Sequence, residues 1–226
     1  HFPLLEKLAN DADPSVRSAV AVTLRQITHT KYSRPLPLTT NKEVRPDYIG
    51  ADGRWLYPSP YDPPQFPYWF DPGEVPSTLF SNLISASRDS ESADRLSFHV
   101  WMALEPQLTA KPQVWASFLA DIAPTTQPLS RVLSHKAMRR LCDTRKAENL
   151  DLAVEFCDKK AEHDILLAHA LDGLVKGQEG GVIKPVKEVS ASLAKWRSSS
   201  NADVRKHAQT LAVMWGDAAA VKEMIA

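Results

Sequence analysis

The sequence predicts an all-α chain of short helices joined into antiparallel hairpins. Three observations carry this: apolar residues recur at spacings of three and four, the links between such stretches are short, and no strand-like alternation appears. The composition agrees with a folded chain. Of 226 residues 43% are apolar, enough for one elongated domain or two small compact ones.

The first stretch, Phe2 to Leu8, reads as the middle of a helix, and Ala218 to Ala226 stops without a cap. Both ends are therefore expected to be cuts from a longer chain. From Pro14 to Thr28 the positions Val16, Ala19, Val20, Thr23, Leu24 and Ile27 define one buried helical face. Asp13 before Pro14 supplies an N-cap acceptor followed by proline where its missing N–H costs nothing.

Between residues 33 and 76 the chain changes character. Ten of the seventeen prolines lie there, among Trp55, Tyr57, Tyr61, Phe66, Tyr68, Trp69 and Phe70, so no regular helix can cross it. Each large ring left in water would forgo about 1.5–3 kcal/mol of burial. The segment is expected to be an ordered, irregular insertion packing across the helices, or a recognition surface, since clustered Tyr and Trp anchor interfaces and stack on sugars or bases.

Helical rhythm then resumes over Ser77–Ser87, Ala93–Glu105, Pro112–Ile122, Pro128–Cys142, Glu148–Lys159, Ala161–Lys176, Pro185–Arg197, Ala202–Trp215 and Ala218–Ile225. Gly177 to Gly181 reads as an interhelical turn. The chain thus divides into a helix pair over 1–32, the insertion over 33–76 and helical repeats over 77–226.

Two places share a more specific pattern: Asp13-Pro14-Ser15-Val16-Arg17 with Leu24 beyond, and Asn201-Ala202-Asp203-Val204-Arg205 with Ala208, Leu211 and Ala212 following. Both resemble the second-helix signature of HEAT repeats. The resemblance implies an armadillo-like α-solenoid in which Asp or Asn caps the helix, Val enters the core, and Arg17 and Arg205 lie along repeat interfaces. Each helix pair of such a fold buries its face only by stacking on the next.

A narrower resemblance lies in Asp94 to Pro106, an apolar helix ending in Trp101, Ala103 and Glu105. This Trp-x-Ala-x-Glu block is similar to the central helical region of large cytochrome-containing proteins of planctomycetes and verrucomicrobia, described as membrane-bound dehydrogenases. It covers Leu4 to Ile225, and the proline-rich insertion fits worst. Val100-Trp101 stands where that family usually has a tryptophan pair. The resemblance implies a non-catalytic scaffold segment between a β-propeller and a cytochrome c domain, a periplasmic or otherwise extracytoplasmic setting, and haem c elsewhere in the parent chain. The alternative is an independent HEAT scaffold whose insertion binds a peptide or glycan.

Chemistry is sparse by comparison. Lys plus Arg and Asp plus Glu both total 27, so nothing in the net charge points to nucleic acid or to an acidic membrane as partner. No leader and no run of about eighteen apolar residues occurs, so no membrane contact by this segment is expected. Cys142 and Cys157 form no C-x-x-C unit. Buried thiols are the simpler expectation, and a disulfide stays open because spacing cannot establish geometry.

The seven histidines include no pair at ligand spacing on one helix face, and His163 and His169 fall on different faces. No catalytic, cofactor-binding or metal-ligating residue is assigned. His99 is expected to be a core histidine rather than an acid–base group, and Glu105 to be a solvent or arginine partner. The basic cluster Arg139, Arg140, Arg145 and Lys146 is expected on a solvated face, with an acidic partner as the sharper alternative.

Overall fold

The structure, a computed structural model, describes residues 2–32, 76–122 and 126–225. Among these residues the chain is all-α, without a strand. The helices are α1 (Phe2–Leu8), α2 (Pro14–Tyr32), α3 (Ser77–Ala86), α4 (Ser90–Ala110), α5 (Pro112–Ile122), α6 (Pro128–Asp143), α7 (Ala147–Lys159), α8 (Asp164–Gln178), α9 (Ser190–Arg197), α10 (Ala202–Trp215) and α11 (Ala218–Ile225).

Local signals explain most boundaries. The Asp13 carboxylate accepts from Ser15 N at 2.8 Å, and the Asn201 side chain accepts from both Asp203 N and Val204 N, as the two motifs require. Asp89 caps α4 by accepting from Ser92 N. Gly216, at φ 76°, ends α10 in the left-handed conformation that a side chain would disfavour, and its N–H returns to Ala212 and Val213 carbonyls.

Tertiary contact overrides local preference in three places. Helix α4 runs through Pro106 to Ala110 instead of ending at Glu105, because Gln107 and Leu108 beyond the proline are buried and hold the last turn in place. The expected helix from Pro185 starts only at Ser190. The preceding loop is tied down where Lys187 N donates to Asp151 Oδ1 on α7 at 3.0 Å. Gly177 belongs to α8, not to the following turn.

Beyond the contacts each helix makes with its neighbours in sequence, contacts follow the parity of the helices. In the odd series, α1 meets α3 where the Asn82 amide donates to the Glu6 carbonyl, and Phe80 of α3 lies edge-on to Trp115 of α5 at 5.1 Å. Lys159 of α7 pairs with Asp121 of α5, Ser192 of α9 donates to Asp158 of α7, and Arg197 of α9 pairs with Glu223 of α11. In the even series, α2, α4, α6, α8 and α10 each pack on the next, and α6 against α8 is the most extensive contact. Leucine and alanine core positions run between the two series as one cluster, from Ala9 to Ala220.

The α6–α8 contact is close because α8 presents glycines to it. A methyl group built at Gly173 would lie 2.2 Å from the His135 carbonyl oxygen, and one at Gly177 would lie 2.5 Å from Cys142 Cβ.

Two expectations are corrected. The buried stripe of α2 is Arg17, Val20, Ala21, Leu24 and Thr28, with Ala19 exposed, so it is rotated from the expected face toward α4. The membrane-bound, periplasmic description implied by the cytochrome resemblance is also corrected, to the extent that the described residues supply no membrane-spanning helix. Among the described residues no helix is long and apolar enough to cross a membrane, and the longest, α4, carries Glu91, Asp94, Arg95 and Glu105.

Candidate interaction face

Three arginines hold the turns that precede the even helices. Arg17 Nη1 donates to the carbonyls of Asp11 and Ala12 at 2.7 and 3.0 Å, and Arg205 Nη1 donates to those of Ser199 and Ser200 at 2.8 and 2.7 Å. Arg131 does the same to Thr126 O at 3.2 Å. Each arginine stands four residues after its cap, so its fork folds back over the helix N-terminus onto carbonyls of the turn before the cap.

The sequence reading found the first and last of these and missed Arg131. The signal was present: Pro128-x-x-Arg131 repeats the spacing of Pro14-x-x-Arg17. Arg17 also reaches the next even helix, at 3.4 Å from Ser92 Oγ, and is buried there, whereas Arg205 stays exposed.

Side chains on the solvent side of the even helices meet across their boundaries. Arg25 of α2 lies over the Phe98 ring of α4 at 5.0 Å, and Lys136 of α6 approaches the Trp101 ring of α4 at 6.0 Å. Arg140 pairs with Glu105 at 2.6 Å, which makes Glu105 the arginine partner that its position at Pro106 suggested. Arg145 instead donates to Gly181 O, and Arg139 is exposed. His99 is half-buried, edge-on to Phe98 at 5.3 Å, and its Nδ1 is buried without a hydrogen-bond partner among the described residues.

Further along the same series, His135 Nδ1 of α6 lies 3.1 Å from Asp172 Oδ2 of α8, which also receives Lys176 Nζ at 2.9 Å. His169 of α8 and His207 of α10 stand close enough for their charges to act on this group. Burial pushes all three imidazoles below their ordinary value; for His135 the Asp172 carboxylate opposes this only in part. Burial pushes the Asp172 carboxyl up, and Lys176, His135 and His207 together more than offset it, so it titrates low. Sequence reasoning tested histidines within single helices and so could not see a group assembled from three.

Both cysteines are free and buried. Burial raises Cys142 to about 12 and Cys157 well above the ordinary thiol value, so neither is a ready thiolate. Among the described residues no group of three or more His, Cys, Asp or Glu side chains is placed to hold a metal ion. The aromatic surface expected at Trp55, Tyr57, Tyr61, Phe66, Tyr68, Trp69 and Phe70 lies outside the described residues.

No family model, curated protein or solved structure matches the chain. The face offers fixed cations, aromatic rings and a bridged carboxylate, the residue types of a binding surface.

Proposed function

We propose that the chain is a non-catalytic interaction module, built as a HEAT-like α-solenoid of stacked antiparallel helix hairpins. The supporting observation is the parity of the contacts, with odd helices meeting odd neighbours and even helices meeting even ones from end to end. That is the pattern expected when each hairpin stacks on the next. The recurrence of the arginine-held turn at Arg17, Arg131 and Arg205 supports a repeated unit. The even series is the more closely packed, which favours it as the inner, concave side, where such folds present their binding surfaces.

Truncation tests this reading. A stack has nearest-neighbour energetics, so a chain ending after Gly181, without α9 to α11, should keep the remaining helices folded and lose only part of its stability. Loss of all helical circular dichroism on that truncation would mean one indivisible core and would end the solenoid reading.

The resemblance at Trp101, Ala103 and Glu105 supports a place for this module beside β-propeller and cytochrome c domains of a longer, haem-bearing chain. Reading the coding sequence on both sides tests it. A C-x-x-C-H motif downstream supports that context, and flanks that encode only further helical repeats replace it with a free-standing scaffold.

A further inference from the structure

The strip across α2, α4 and α6 carries a specific complementarity. Phe98 and Trp101 are three residues apart on α4 and so are neighbours on one helix face. Arg25 approaches from one side of them and Lys136 from the other. Arg139, one turn beyond Lys136, is exposed. Phe98 is itself 51% exposed, so its ring is accessible from solvent.

Among the described residues Arg25 and Lys136 are held by rings and not by carboxylates. A ring attracts a cation through its quadrupole and leaves the full charge available. Among the described residues no carboxylate pairs with Arg25, Lys136 or Arg139, while the carboxylates nearby are engaged: Glu105 by Arg140, Glu91 by Arg95. Asp94, one turn before Phe98, offsets only part of the positive charge. Half-burial lowers the Lys136 ammonium, the direction expected of a cation that lacks a facing anion.

We propose that the strip formed by Arg25, Phe98, Trp101, Lys136 and Arg139 binds an acidic, extended peptide segment carrying apolar side chains. This rests on the reading of the chain as an interaction module. Three helices about 9 Å apart span roughly 20 Å, which an extended chain covers in about six residues. Carboxylates meet Arg25 at one edge and Lys136 with Arg139 at the other, and an apolar side chain between them covers Phe98 and Trp101. The rings hold Arg25 and Lys136 before binding, so less side-chain entropy is lost on association.

The test uses the full chain and a fluorescein-labelled peptide of about eight Glu and Leu residues, followed by anisotropy. The peptide should bind, with affinity falling as salt is raised. Arg139→Glu, an exposed change that leaves the helices intact, should weaken it about tenfold, and Phe98→Ala several-fold. A Lys and Leu peptide should not bind.

Three outcomes overturn the proposal: no binding of the acidic peptide to a chain whose circular dichroism is intact, equal binding by Arg139→Glu, or tighter binding of a labelled oligouridylate. If binding fails while the truncated chain still folds, this inference falls and the stacked module stands. Collapse of the truncated chain removes both.

Discussion

Gly173→Ala isolates the feature that brings α6 and α8 together. On an isolated helix the change would help, since glycine is about 1 kcal/mol worse than alanine in a helix interior. Here the added methyl would sit 2.2 Å from the His135 carbonyl oxygen, where ordinary contact begins at 3.4 Å, so the two helices must part by about 1.2 Å. The obstacle is backbone within a helix, and no rotamer change relieves it. Overpacking of this kind costs about 1–3 kcal/mol. Parting the helices also stretches the His135–Asp172 contact, now 3.1 Å.

We expect the variant to be less stable by about 1–3 kcal/mol, near the upper end because the clash is with main chain. For a chain of this size that is a fall in Tm of about 2–4 °C per kcal/mol. Thermal and urea denaturation, both followed by circular dichroism, measure it. Gly180→Ala is the control, because its methyl would meet only the end of the exposed Arg145 side chain at 2.6 Å, which can swing away at the cost of no more than its solvent-exposed bond to Gly181 O. Gly173→Ala as stable as the parent, or more so, would refute the argument from close approach.

Two further outcomes follow from the site. Arg17→Ala should cost about 2–3 kcal/mol, since it removes charge-assisted bonds to two carbonyls in a buried setting; Arg205→Ala, with the same bonds but exposed, should cost about 1 kcal/mol or less because water takes its place. Equal losses in urea titrations would show that burial by α4 is irrelevant. His135, His169 and His207 titrate below the ordinary 6.5 in the folded chain. Below that value the unfolded chain binds more protons, so stability should fall on acidification from about pH 6.5. Asp172, held low, loses its contribution only as the pH falls from the ordinary 3.8 toward its lower folded value, so the loss near pH 6.5 belongs to the imidazoles. Tm measured across this range should therefore drop toward acid, with a shallower slope in His207→Gln; a flat or rising profile would contradict the burial of these rings.

The helices themselves were legible in the sequence because their signals are local. Caps at Asp13 and Asn201, proline at the start of α5 and α6, and three-to-four spacing depend on residues within a turn of each other. The Arg17 and Arg205 motifs were equally visible, and the arginine-held turn they build joins residues at most six positions apart. The buried stripe of α2 was misplaced because spacing defines a face only to within about one residue, while contact with α4 selects Arg17 and Ala21 over Ala19.

Nothing local could reveal the site. The Arg25–Phe98, Lys136–Trp101 and His135–Asp172 contacts each join different helices, far apart in the chain. The same is true of the register between α6 and α8, which depends on Gly173 meeting a carbonyl of residue 135. By itself, then, the amino-acid order determined which segments are helical and where most of them start, since backbone hydrogen bonding and capping act over a few residues. Only tertiary packing decided which faces are buried, how α4 continues past Pro106, and which cations, rings and imidazoles share a surface, because those outcomes depend on distances between helices that no local pattern encodes.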